Sequence, residues 1–112
     1  MKPQAARQYF YTGDYYSYTI VTSADGLVTT KQYAVVPQQV SMLLKTNLFG
    51  QLQIDSLFKM QRESILKNIR DRNGEEIYEN GEWEIIQSAP SLSPLGIKEG
   101  YQYIATILSG DI

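Results

Sequence analysis

The chain contains no cysteine and no histidine. Without cysteine there are no disulfides, thiolate metal sites or thiol nucleophiles. Without histidine the commonest general base and the commonest metal ligand are missing. Serine–histidine triads, cysteine proteases, most zinc enzymes and histidine relays are thereby excluded. Long apolar runs are lacking too, so no segment reads as a membrane-spanning helix, and Met1–Gln8 has no apolar core of the secretory kind. No phosphate-cradling glycine pattern occurs. Asp71-Arg72-Asn73-Gly74-Glu75-Glu76 looks like a calcium loop only in part, because its glycine does not fall at the sixth position the loop requires; it reads as a turn.

What remains is an ordinary globular composition: 112 residues, 43% hydrophobic and 20% charged, with a net charge of −2. This length suits one domain, 1–112, able to bury a sizeable core. The charge is sorted along the chain. Lys59, Arg62, Lys67, Arg70 and Arg72 form a mainly basic block, and Glu75, Glu76, Glu79, Glu82 and Glu84 follow with no base among them. Such neighbouring blocks can form two solvated faces, pair within the chain, or pair across a repeated subunit interface. The acidic run offers no buried carboxylate pair for acid–base work, since Glu79 and Glu82 flank a solvent-exposed turn.

Residues 1–14 read as an N-terminal arm. Tyr15 to Ser23 and Leu27 to Val36, rich in tyrosine, threonine and branched residues, read as two strands of a first hairpin (15–36) around Asp25-Gly26. Pro37 ends it. Residues 38–50 follow neither period cleanly and read as an irregular apolar loop. Leu43, Leu44, Leu48 and Phe49 are its candidate partner residues, because exposed apolar clusters mark interaction sites; packing against the barrel is the alternative. Residues 51–108 supply the remaining strands. Leu52, Ile54, Phe58 and Met60 alternate with mostly polar neighbours, which predicts a strand to about Met60; 61–70 fits either a helical turn or a short strand. Asn80-Gly81, between Ile77-Tyr78-Glu79 and Glu82-Trp83-Glu84-Ile85-Ile86, is the best hairpin signal in the chain and sets Tyr78 against Trp83, which belongs in the core. Ser88 to Gly100 reads as a loop, and Tyr101 to Leu108 as a central strand. The expected fold is mainly β: a small, mostly antiparallel barrel or sandwich of five to six strands with at most one short helix.

The order of these features resembles the head–tail connector proteins of tailed bacteriophages, head-closure (stopper) type. The matching pieces are Val35-Val36-Pro37 at the end of the first hairpin, Met42-Leu43-Leu44 and Gly50 in a variable segment, and a strand near Leu52 to Met60. Ile77 to Ile86 around Asn80-Gly81 and the final Gly100-Tyr101-Gln102-Tyr103-Ile104-Ala105 complete the set. The sequence departs from that pattern in having Glu75-Glu76 rather than aspartate before the hairpin, and no tryptophan in the loop before the last strand.

The resemblance implies a virion neck protein without catalytic activity or cofactor, assembled in the host cytoplasm. It would form a homo-oligomeric ring that closes the portal channel after DNA packaging, between a portal or adaptor ring and a tail-terminator or tail protein. DNA would be met only by proximity, and a membrane not at all. The ring contact would pair Arg62, Lys67, Arg70 and Arg72 with Glu75, Glu76, Glu79 and Glu82 of a neighbour, with 38–50 facing the channel or a partner. Another small tail-completion or baseplate component is the nearest alternative. An oligonucleotide-binding barrel is the other, weakened because the tyrosines cluster near the start of the chain and the bases elsewhere.

Overall fold

The computed structural model describes residues 10–92, 95, 96 and 98–109, and contains eight strands and no helix among them. They are β1 (Tyr11–Tyr16), β2 (Tyr18–Thr22), β3 (Thr29–Tyr33), β4 (Gln38–Thr46), β5 (Leu52–Ser56), β6 (Ile65–Arg70), β7 (Glu82–Leu92) and β8 (Lys98–Ser109). Six of them close an antiparallel barrel in the order β1-β4-β5-β8-β7-β6, and β2 and β3 form a separate two-stranded ribbon. Closure removes the exposed edges that an open sheet would present.

The barrel is filled by every second residue, as the pleat requires. Tyr15, Val40, Met42, Leu52, Ile54, Leu66, Ile69, Trp83, Ile85, Tyr103 and Ala105 are all buried, and Met60 plugs one mouth. Gly13 occupies an inward position where a Cβ would lie 2.7 Å from Met42 Cε and 3.1 Å from Leu66 Cδ1. At the opposite wall a Cβ on Gly100 would sit 2.8 Å from the Ser56 carbonyl oxygen. At Gly100 the close atom is backbone and leaves no room for a side chain, whereas at Gly13 it is the flexible end of Met42.

Two bulges explain where the apolar pattern misleads. On β6, Lys67 pairs with Asp14 but Arg70 pairs with Thr12, so three steps oppose two, and Asn68 takes φ 53°. This extra residue turns both Leu66 and Ile69 inward, and their spacing of three is what imitates a helix; 61–70 contains a strand. On β7, Ile85 pairs with Ala105 and Gln87 with Ile104, which shifts the alternation there. Ser88 to Gly100, expected as a loop because of Pro90, Pro94, Gly96 and Gly100, supplies the end of β7 and the start of β8, with Pro90 paired to Tyr101; residues 93, 94 and 97 lie outside the described ones.

Residues 38–50 are not an irregular loop. Val40 and Met42 are buried and Leu44 packs against the core, while Leu43 on the other face obscures the alternation; only 47–50 are a turn. The expected arm, 1–14, already contains the start of β1, with 1–9 outside the described residues. The single strand expected over Tyr15 to Ser23 breaks at Ser17, where the chain leaves the barrel, and the second strand of that hairpin spans only Thr29–Tyr33. Strand β5 ends at Ser56 rather than near Met60, because the Ser56 hydroxyl donates to the Ser41 carbonyl at 2.8 Å and accepts the Phe58 N–H at 3.1 Å. Finally, Ile77-Tyr78-Glu79 is no strand. Ile77 N–H bonds the Ile69 carbonyl at 3.0 Å, and Gly81 N–H closes a turn on Tyr78 at 2.9 Å. The Tyr78–Trp83 contact exists nonetheless, edge to face at 5.1 Å between centroids.

The antiparallel order gives the barrel two unlike ends. At the ribbon end lie the β2–β3 ribbon, the 57–64 loop and the β7–β8 turn. At the far end lie the β4–β5 turn (47–51) and the 71–81 loop.

Candidate functional site

The β2–β3 ribbon is held at its root and unsupported beyond. Tyr18 N–H donates to Gln61 Oε1 at 2.9 Å, and the hydroxyls of Tyr18 and Tyr33 donate to the carbonyls of Arg62 and Glu63 at 3.0 and 3.1 Å. Lys31 bridges to Glu63 at 3.2 Å, which raises the lysine pKa, and lies over the Tyr18 ring. Towards the tip, Ile20, Val21, Leu27 and Val28 are exposed, as are Val35 and Val36 where the ribbon returns. Its turn is tightly knit. Asp25 accepts from the Ser23 hydroxyl and from Leu27 N–H, and these bonds hold its carboxyl below the usual range. A two-stranded ribbon alone is marginal in water, so the root bonds to residues 61–63 are what hold this one to the barrel.

At the far end the β4–β5 turn displays two apolar side chains on a rigid support. The Asn47 side-chain carbonyl accepts the N–H groups of Phe49 at 2.9 Å and Gln51 at 3.0 Å, and its amide donates to Gln51 Oε1 at 3.0 Å. Leu48 is 99% exposed and Phe49 85%. Of the four apolar candidates, the structure thus separates Leu44, against the core, and Leu43, on the outer wall, from Leu48 and Phe49, which project into solvent.

The charged candidates are also divided. Lys67 faces Glu82 within the chain at 3.8 Å and lies over the Tyr16 ring. Arg70 bonds Asp14 at 3.2 Å, beside Asn68, whose amide donates to the same carboxylate at 2.8 Å. Arg72 stacks on Phe10, 4.5 Å from its centroid. Part of the basic block is therefore satisfied internally. Among the described residues Arg62 and Arg72 have no carboxylate within ion-pair distance, and Glu75, Glu76 and Glu79 are exposed in the 71–81 loop, although Glu76 accepts the Asn80 N–H. These cation–aromatic contacts were hidden in the sequence, because Phe10 and Tyr16 reach the basic strand only through the β1–β6 pairing.

A third feature is a shallow groove of about 640 Å³ on the outside of β4, β5, β8 and β7. Cross-strand register sets two rows along it: Leu43, Asp55, Gln102 and Ala89, then Lys45, Gln53, Ile104 and Gln87. The rows mix three amides and three apolar residues with one cation, Lys45, and one carboxylate, Asp55, and the nearby Tyr103 ring belongs to the core. The Tyr103 hydroxyl accepts Met60 N–H at 2.8 Å and donates to the Phe58 carbonyl at 2.7 Å; burial pushes its pKa to about 12. No group of acidic residues among those described is arranged to hold a metal ion. Comparison with family models, curated proteins and solved structures gives no match.

Proposed function

We propose that this chain is a structural subunit of a phage head–tail connector, a head-closure protein that acts as a ring rather than as a catalyst. The observation that carries the reading is the placing of exposed apolar residues at both ends of a closed barrel: the Val35–Val36 segment and ribbon tip at one, Leu48 and Phe49 at the other. A monomer gains nothing from such residues, whereas a subunit with neighbours on two sides covers both. In this reading the ring docks a portal or adaptor protein on one face and a tail protein on the other, and DNA is only a neighbour in the channel. The virion neck would be its place of action. Negative-stain imaging and light scattering of purified protein, alone and with an adaptor ring, test it. Ring-shaped particles are expected; a persistent monomer that also ignores the adaptor ring would overturn it.

A second reading, an oligonucleotide-binding barrel, draws on the β1–β6 face, where Arg72 on Phe10 and Lys67 on Tyr16 interleave cations with rings. Two of the cations on that face are already matched by Glu82 and Asp14, which favours the structural role. Titration of labelled single-stranded DNA at low salt separates the two, since genuine binding falls steeply as salt rises.

A further inference from the structure

Resting on the ring reading, we infer that the subunit contact is heterologous: the Leu48–Phe49 turn of one copy seats in a depression at the root of the next copy's β2–β3 ribbon. Four features meet in this pairing. The turn is a rigid apolar knob, braced by Asn47 and exposed without any cover of its own. The depression, lined by Ser17, Tyr18, Thr19, Gln32, Tyr33 and Val35, has a volume of about 260 Å³. That is below the roughly 300 Å³ where ligand pockets begin, and so suits a single large side chain.

The two regions lie at opposite ends of the barrel. Joining them leaves each copy with one free knob and one free depression, the condition for a ring once the rotation closes. An isologous contact would instead bury the same end twice and stop at a dimer.

Charge points the same way. Among the described residues, Glu75, Glu76 and Glu79 stand around the knob end with Asp71, Arg72 and Lys45, while Arg70 and Glu82 beside the loop are paired with Asp14 and Lys67. Around the depression stand Lys59 and Arg62, both exposed, while Glu63 is engaged with Lys31. Asp25 at the ribbon tip is tied into its own turn, and Glu99 lies out on the β7–β8 stem. Copies meeting unlike end to unlike end set the acidic loop near Lys59 and Arg62, and copies meeting like to like set the acidic loops against each other. Such long-range complementarity selects orientation more than it adds affinity.

The absence of native cysteine makes the contact directly testable, because one introduced thiol is the only one present. Chains carrying Thr46→Cys beside the knob or Gln38→Cys beside the depression, both exposed positions outside the contact itself, are mixed and treated with a short bismaleimide linker, with each variant alone as control. Cross-linked dimers are expected from the mixture in severalfold excess over either variant alone. The yield should drop severalfold when Arg62→Glu is placed on the Gln38→Cys chain, and return when the Thr46→Cys chain carries Glu76→Arg and Glu79→Arg. Equal cross-linking of a single variant would mean that like ends meet, and would overturn the contact. So would oligomers visible by light scattering that give no mixed product, or a Thr46→Cys chain that links only to an adaptor or tail protein. Those results leave the ring standing and remove this interface, whereas a protein that neither scatters as an oligomer nor cross-links with adaptor present removes both.

Discussion

Trp83 offers a sharp test of how the barrel is held together. It is 1% exposed, and its indole nitrogen is buried with no hydrogen-bond partner. An indole that buries about 200 Å² at roughly 25 cal/mol per Å² contributes on the order of 5 kcal/mol of transfer free energy. Trp83→Ala should therefore cost about 3–5 kcal/mol, the usual range for removing a large buried aromatic. This is a large part of the roughly 5–15 kcal/mol that holds a domain folded. Trp83→Phe behaves differently. It gives up about 1 kcal/mol of apolar area, but also removes a buried donor whose unmade bond costs about 1–3 kcal/mol. The two terms nearly cancel, so the phenylalanine variant should lie within about 1 kcal/mol of the parent while the alanine variant falls far below it. Urea unfolding followed by far-ultraviolet circular dichroism measures both, since either change removes the only tryptophan. A phenylalanine variant as unstable as the alanine one would refute the reasoning, and would mean that the indole N–H is worth keeping, with the Tyr78 ring as its acceptor.

Leu48→Ser with Phe49→Ser should leave the isolated domain within about 0.5 kcal/mol of the parent yet abolish assembly; a large fall in the melting temperature would place these residues in the core instead. Gly100→Ala should destabilise by about 1–3 kcal/mol, because its methyl group would press on the Ser56 carbonyl; an unchanged denaturation midpoint would contradict that close approach. Tyr103 has its phenol pKa raised from 10.0 to about 12. Its contribution is complete below the unfolded value and is lost as pH climbs through the folded one. Stability should thus decline between pH 10 and 12, and Tyr103→Phe should flatten that decline when unfolding is measured across the range. Asn47→Ala should loosen the far-end turn, seen as faster amide exchange at Phe49 and Gln51, while the barrel amides stay protected.

The barrel itself was legible in the sequence: Leu52 to Ser56 could be read from its alternation, and Tyr101 to Leu108 as a central strand because both its faces are partly apolar. The errors fall where a physical feature breaks that period. At Asn68 a bulge adds a residue, so Leu66 and Ile69 resembled a helical face, and Pro90, Pro94, Gly96 and Gly100 made Ser88 to Gly100 resemble a loop although β7 runs through Pro90 to Leu92. Along Val40 to Thr46, Leu43 on the outer groove filled in the alternation. Asn80-Gly81 is a turn, as its residues demanded, but its upstream arm is held by Ile69 rather than by a strand partner. For the candidate surfaces, Leu48 and Phe49 carried a visible signal, being apolar beside Asn47 and Gly50. The pairing of Arg70 with Asp14, or Arg72 with Phe10, carried none, because strands far apart in sequence bring them together.

The β2–β3 ribbon has a consequence that lies in the chain path. Tyr15 pairs directly with Gln38, so β1 and β4 would be a simple hairpin but for the 22 residues between their paired ends. The ribbon is an insertion whose two ends already touch. Excising it and joining Tyr16 to Pro37 through a tight turn would leave the register of the six barrel strands as it stands. Lengthening it by one residue on each strand would extend its reach by about 3.3 Å without moving a core atom. Reach at the tip can therefore vary independently of the core, whereas a foreign hairpin grafted at this position would have to replace the root bonds that Tyr18, Lys31 and Tyr33 make to residues 61–63.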